Sequence, residues 1–232
     1  MKSLAAIAAL AVSLFLPSTA TASSADLAAT LAKQAPGLRP QVLRLALEAS
    51  ERAAERGLVR RDDLLTVIDY SIPSTQPRLW VFDLERERLL FREHVAHGKN
   101  SGGNRPTKFS NASGSLQTSL GLFVTKGTYV GSNGYSLRLD GLERGVNDKA
   151  MERAIVMHGA PYVDGTMAKR QGRLGRSWGC PAVRDEIARK LIDTIKGGSP
   201  IFAYYPERRW LASSAFLTGG QVAAAGVLGG AR

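Results

Sequence analysis

The chain carries two hydrophobic periods in succession, and the change between them divides it. From residue 24 to about 63, apolar positions recur at helical spacing. Val42, Leu45, Ala46, Ala49 and Ala53 share one stripe, with Glu48, Glu51, Arg52, Glu55 and Arg56 on the other faces. Pro40, whose φ is already near the helical value, suits a first helical position, and Gly57 suits the residue that ends a helix. The pattern predicts a helical hairpin leaning on the rest of the molecule. From residue 64 the period shortens. Segments 64–70, 78–83 and 89–97 are short runs rich in Val, Ile, Phe and Trp, and Glu85-Arg86-Glu87-Arg88 turns a hairpin between the last two. Residues 98–115 form a long polar loop of Gly, Asn, Ser and Lys, a kind that is usually functional or disordered. Further strands are predicted at 120–125, 136–139 and 154–157. An amphipathic helix follows over 185–196, with Ile187, Leu191 and Ile195 inward, and a closing strand over 200–205. Many short strands and few helices, without regular strand–helix alternation, predict a mainly β fold, barrel-like or sandwich-like rather than doubly wound. The expected organisation is a segment 1–22 removed on maturation, a helical extension 23–63, a β domain 64–212 and a loose Gly-rich tail 213–232.

The first of these segments sets the compartment. Lys2 precedes an uncharged apolar run over 4–16, Pro17 breaks it, and Ala20-Thr21-Ala22 offers small residues for a signal peptidase. The run is shorter than the roughly 20 residues a membrane-spanning helix needs. An exported protein is expected, in a periplasm or cell envelope, cleaved after Ala22 or alternatively Ala25. No cysteine follows the run to make a lipoprotein, and no later segment is long and apolar enough for stable membrane insertion.

Export changes the meaning of the single cysteine. Secreted chains tend to hold cysteines in pairs, so Cys180 is an inert buried thiol, an intermolecular bridge or a retained nucleophile. Its surroundings favour the last. The segment Ser177-Trp178-Gly179-Cys180-Pro181 leads toward the helix predicted from 185, where unpaired amides and the helix dipole favour a thiolate. Gly179 allows a substrate carbonyl close to the backbone, so the amides of Gly179 and Cys180 are candidates for an oxyanion hole. His158 ends the apolar run at 154–157 and enters a Gly-Ala-Pro turn, a place from which an imidazole can face a cleft and act as base. Lys169, Arg170, Arg173 and Arg176 precede the cysteine closely. As a cluster they would lower the thiol pKa or hold a carboxylate; singly each reads as well as a solvated charge. A zinc site built from His97, His158 and Cys180 is a minor reading, because no acidic residue completes a recognised ligand pattern. The ordinary reading of His94 is a satisfied hydrogen-bonding residue. No metal or cofactor is expected. The formal charge of +11 does not point to nucleic acid in an exported chain; lipid head groups, wall polymers and wall-peptide carboxylates are the anions it would meet, and scattered solubilising charge explains it equally well.

The order of His158 followed by Ser-Trp-Gly-Cys resembles the murein L,D-transpeptidases with the YkuD-type catalytic domain, in a divergent branch. The resemblance rests on HGAPYV from His158 and GRLGRSWGCPAV from Gly172, with support from VAHGKNSG, FSNASGS and YSLRLDGLERGVN, and runs from about 64 to 205. It implies a β-rich, sandwich-like catalytic domain without cofactor. It implies Cys180 as the acylated nucleophile, His158 as general base, and the carbonyl of Gly159 as the group orienting the imidazole. The implied donor is a peptidoglycan tetrapeptide stem losing D-Ala to an amine acceptor. Two positions depart from the family's usual motif. Trp178 replaces a histidine and offers a wall for stacking, and Ala182 replaces an arginine, a role Arg173 or Arg176 would take over. Ser177, Tyr162 and His97 complete the candidate substrate-binding set. Hydrolysis of wall peptides, a non-catalytic wall-binding protein and a sortase-like enzyme remain alternatives at this point, the last disfavoured by Ser177-Trp178-Gly179 ahead of the cysteine. A monomer is expected.

Overall fold

The structure, a computed structural model, describes residues 24–217; the segment 1–22 and the tail beyond 217 lie outside the described residues. Helix α1 spans Ser24–Gln34 and α2 spans Pro40–Glu55. Pro40 stands in the first turn of α2, and Gly57, at φ +68°, turns the chain away after it. The apolar stripe of α2 is buried, including Val42, Leu45, Ala46, Ala49 and Ala53.

Eight strands follow: β1 (Leu64–Asp69), β2 (Leu79–Asp83), β3 (Arg88–Glu93), β4 (Gly121–Gly131), β5 (Gly134–Gly141), β6 (Val156–Gly159), β7 (Ala182–Val183) and β8 (Pro200–Tyr204). Three more helices interrupt or close them: α3 (Gly165–Gln171), α4 (Asp185–Ile195) and α5 (Arg208–Ser213). The strands form one sheet in the order β3-β2-β1-β8-β4-β5-β6-β7, curled into a nearly closed barrel. Most neighbours are antiparallel; β1 with β8 and β6 with β7 are parallel. β1, β2 and β8 are buried along their whole lengths, so they read as continuous apolar runs rather than alternating ones.

The core explains why the N-terminal helices are where they are. Leu31, Leu43 and Leu45 belong to the same buried cluster as Trp80, Phe82, Ile68, Phe202 and Ile192, so the hairpin closes one end of the sheet's core. At full burial each such side chain contributes about 1.5–3 kcal/mol. The tail departs from expectation at its start. Phe216 and Leu217 are buried, and the Arg56 guanidinium lies 4.8 Å from the Phe216 ring centroid, because these two apolar residues close a gap beside α2.

A buried polar knot fixes the β5–β6 connection. The Glu143 carboxylate accepts the Leu122 amide at 2.7 Å and the Trp210 indole N–H at 3.0 Å. The Asn147 side chain accepts the Glu143 amide and donates to the carbonyls of Leu120 and Leu122. Gly141 lies so close that a Cβ there would sit 2.0 Å from the Asn147 carbonyl oxygen. The segment 135–147 therefore carries fold rather than chemistry. A second, smaller apolar cluster of Ala96, Val163, Ala168, Leu174 and Ala182 sits under α3 and holds the ends of β6 and β7 together.

Candidate active site

β6 and β7 bring the two candidate residues to one edge of the sheet. Their parallel register pairs His158 with Ala182, and Cys180 stands two residues before Ala182. The Cys180 sulfur accepts the Val156 amide at 3.5 Å, and its S–H faces the Ala154 carbonyl at 3.7 Å. Val156 is two residues from His158 on the same strand, about 7 Å of chain. Both groups are largely enclosed: Cys180 is 9% exposed and His158 4%.

A tight turn presents the sulfur. The Ser177 hydroxyl donates to the Cys180 carbonyl at 2.6 Å and accepts the Gly179 amide at 3.1 Å. Ser177 is also stitched between the His97 carbonyl and the Lys99 amide, forming a parallel bridge with Gly98. Gly179 has φ +129°, and a Cβ there would meet the Gln117 carbonyl at 2.9 Å, so glycine alone fits. Thr118 fastens the polar loop onto this turn, accepting the Gly98 amide and donating to the Gly179 carbonyl. The start of the polar loop at Gly98 and the residues just after its end are thus tied to the turn that carries Cys180.

The imidazole is oriented by its own backbone. His158 Nδ1 lies 2.7 Å from the Gly159 carbonyl; a carbonyl only accepts, so Nδ1 carries the proton and Nε2 keeps its lone pair. A side chain at Gly159 would collide with Asp185 of α4, whose Oδ1 would lie 2.5 Å from the added Cβ. Burial lowers the His158 pKa, opposed by the Gly159 hydrogen bond and the Asp185 carboxylate. Burial raises the Cys180 pKa, opposed by the Val156 amide and the Arg153 guanidinium. Both shifts favour the uncharged forms, a thiol at Cys180 and a neutral imidazole at His158.

Other expected site residues fall in different places. His97 is buried, with Arg78 Nη2 donating to its Nδ1 at 2.7 Å and its Nε2 at 3.4 Å from the Gly102 carbonyl. Both ring nitrogens are committed, so it braces the loop instead of reaching substrate. The Gly179 amide is spent on Ser177, which removes it as an oxyanion donor. The Cys180 amide has no acceptor among the described residues and is the donor that remains. Ser177 is buried and its hydroxyl holds the turn. Arg173 donates to the Leu174 carbonyl, Arg176 to those of Gly102 and Lys99, and Lys169 and Arg170 end α3. The cation that lowers the thiol pKa is Arg153, not this cluster. Arg184 is taken by Glu93 in a two-pronged pair at 2.7 and 2.9 Å. Two expected residues do border the site. Tyr162 is half-buried, its phenol pushed up to about 12 by burial, the Cys180 thiolate and Asp185. Trp178 is 73% exposed beside the cysteine, with the Lys99 ammonium 5.7 Å from its ring centroid. A groove of mixed charge is lined by, among others, His94, Ala160, Asp164, Lys169 and Asp185.

The burial of His97 has a measurable consequence. Its pKa is held at about 3, against 6.5 unperturbed, by burial and by the Arg78 charge. The folded state resists protonation there, so stability is fully present above pH 6.5 and is lost as pH falls toward 3. The loss amounts to about 4–5 kcal/mol over that window. His97→Gln, which can still accept from Arg78 and donate to Gly102, is expected to flatten this part of the stability–pH curve. Denaturant titrations of both proteins across the window test this, and parallel curves would refute it.

The profile of the L,D-transpeptidase catalytic domain family matches residues 34–204, and the chain belongs to that family. Among solved structures it resembles an L,D-transpeptidase from Mycobacterium smegmatis, with 18% identity, 62% of this chain and 59% of that one covered, and a TM-score of 0.39. It resembles L,D-transpeptidase 1 of Mycobacterium tuberculosis with 18% identity, 62% of each chain covered and a TM-score of 0.34. It also resembles the helical cell shape determining protein Pgp2 of Campylobacter jejuni, with 11% identity, 80% and 61% covered and a TM-score of 0.44. The chain spans about three-fifths of the length of these structures. No curated protein matches it. No helix among the described residues is long and apolar enough to cross a membrane.

Proposed function

We propose that the protein is an exported L,D-transpeptidase of the bacterial cell envelope, working on peptidoglycan stem peptides with Cys180 as nucleophile and His158 as general base. The observation that supports this reading is that the Cys180 sulfur accepts the Val156 amide of β6, two residues from His158, whose Nδ1 is held by the Gly159 carbonyl. That bond leaves Nε2 as the only basic nitrogen, two strand residues from the amide that touches the sulfur. In the proposed reaction Nε2 takes the thiol proton as sulfur attacks the carbonyl preceding the terminal D-Ala of a tetrapeptide stem. The carbonyl oxygen takes up negative charge near the Cys180 amide. The C–N bond then breaks, the proton on His158 passes to the departing D-Ala amine, and a thioester remains on Cys180. An acceptor amine attacks the thioester, restoring the free thiol. Trp178, exposed beside the cysteine, supplies an apolar wall for the incoming stem, and Tyr162 borders the same space as a neutral phenol.

Incubation of the mature protein with purified muropeptides, followed by mass analysis, tests the reading. Crosslinked dimers with release of D-Ala are expected. Tripeptides without dimers would identify water as the acceptor and make the enzyme a hydrolase. Unchanged muropeptides with a folded protein would overturn the proposal.

A further inference from the structure

The segment just before β6 does more than lead into the strand. Arg153 is clamped on four oxygens of the loop above the site. Its Nη1 donates to the Ser110 carbonyl at 2.8 Å and the Ser119 hydroxyl at 2.5 Å, and its Nη2 to the Gln117 carbonyl at 2.7 Å and the Ser115 hydroxyl at 3.2 Å. Nη2 would also lie 3.5 Å from a Cβ placed on Gly179, the residue next to the nucleophile. The following residue, Ala154, sits at φ +51°, a conformation that non-glycine residues seldom adopt, and its carbonyl faces the Cys180 thiol. Val156, two further on, gives its amide to the same sulfur. Ala154 and Val156 thus touch the Cys180 sulfur, while Arg153 lies against the adjoining Gly179.

None of Arg153's four partners is a carboxylate, so its charge is not neutralised by the loop it holds. The cations that the sequence offered for this role are bonded elsewhere: Arg173 to the Leu174 carbonyl, and Arg176 to the carbonyls of Lys99 and Gly102.

Building on the reading of Cys180 as nucleophile, we infer that Arg153 is the positioning residue that stabilises the Cys180 thiolate, fixed beside it by the loop 110–119 rather than by an acidic partner. A charge held rigidly costs no reorganisation when the thiolate forms, so it favours the ionised sulfur in the step where His158 takes the proton. Burial lowers the Arg153 pKa and raises the Cys180 pKa, and the charge of each partner opposes the other's shift. The loop and the nucleophile become linked, because whatever displaces residues 110–119 also releases the guanidinium.

The single cysteine makes the test direct, since all thiolate absorbance in the ultraviolet belongs to Cys180. Arg153→Gln keeps hydrogen-bond donors without the charge; Arg153→Lys keeps the charge without the fork. Below the thiol pKa, the glutamine variant is expected to show a thiolate fraction on the order of tenfold smaller than wild type, and the lysine variant one within about twofold. Glutamine titrating like wild type would overturn the inference. Should the glutamine variant not fold, the lysine variant decides, and a titration displaced as far as tenfold would show that the fork and not the charge matters. Labelling of wild type by a carbapenem, run in parallel, separates the two claims. Failure of wild type to be labelled refutes the nucleophile, whereas normal labelling with unmoved titration refutes Arg153 alone.

Discussion

Cys180→Ala is expected to abolish acylation and turnover completely while leaving the protein folded. Both halves follow from the contacts of the sulfur. As the chain's one cysteine it has no substitute, and the Ser177 hydroxyl in the same turn is committed to the Cys180 carbonyl and the Gly179 amide. Structurally the sulfur makes two long contacts, at 3.5 and 3.7 Å, both with backbone. Their loss, with that of one small buried atom, costs about 1–2 kcal/mol. The turn survives because the Ser177 hydroxyl and the left-handed Gly179 hold it, not the thiol. Intact-protein mass spectrometry after exposure to a carbapenem, beside a thermal melt, reads both quantities. Residual labelling of a folded variant would place the nucleophile elsewhere.

His158→Gln is expected to slow acylation by about 10²–10⁴-fold. The thiol pKa is raised by burial, so few molecules carry a thiolate at neutral pH without a base to take the proton. The pH profiles distinguish this from a packing defect. In wild type the base acts as neutral imidazole, and burial lowers its pKa, so the acid limb should fall below the ordinary histidine range near 6.5. In the glutamine variant only pre-existing thiolate reacts, so the rate should rise about tenfold per pH unit across the neutral range. Equal profile shapes in the two proteins would mean that His158 is not the base.

The parts of this molecule that were legible in sequence are those whose meaning is local. The stripe of α2, the apolar runs of β1, β2 and β8 and the face of α4 are set by period, and they lie within a residue or two of where the pattern puts them. α3 escaped because Gly165–Gln171 has no apolar stripe; it is held by the Asp164 side chain accepting the amides of Thr166 and Met167. The extension of β4 past Thr125 escaped because its outer half is exposed and has no buried face to write a pattern. β7, two residues long, exists only through its pairing with β6. The site divides the same way. Cys180 and His158 are proposed from their immediate neighbours in the chain, and the Gly159 carbonyl from the family resemblance. His97 reads equally as ligand, binder or brace, and only Arg78 behind it decides. Arg153 carries no local mark, since its role depends on oxygens 34 to 43 residues away in the chain. The cationic cluster at 169–176 is marked by closeness in sequence, but the cation that lowers the thiol pKa is Arg153, from a distant part of the chain.

The most direct test of the account is the covalent intermediate itself. Mature protein mixed with a tetrapeptide stem donor, quenched and analysed by intact mass and then by peptide mapping, should gain the mass of the stem less D-Ala, carried by the peptide that contains Cys180. A folded protein that gains no mass, or one that carries it on any other residue, would contradict the mechanism.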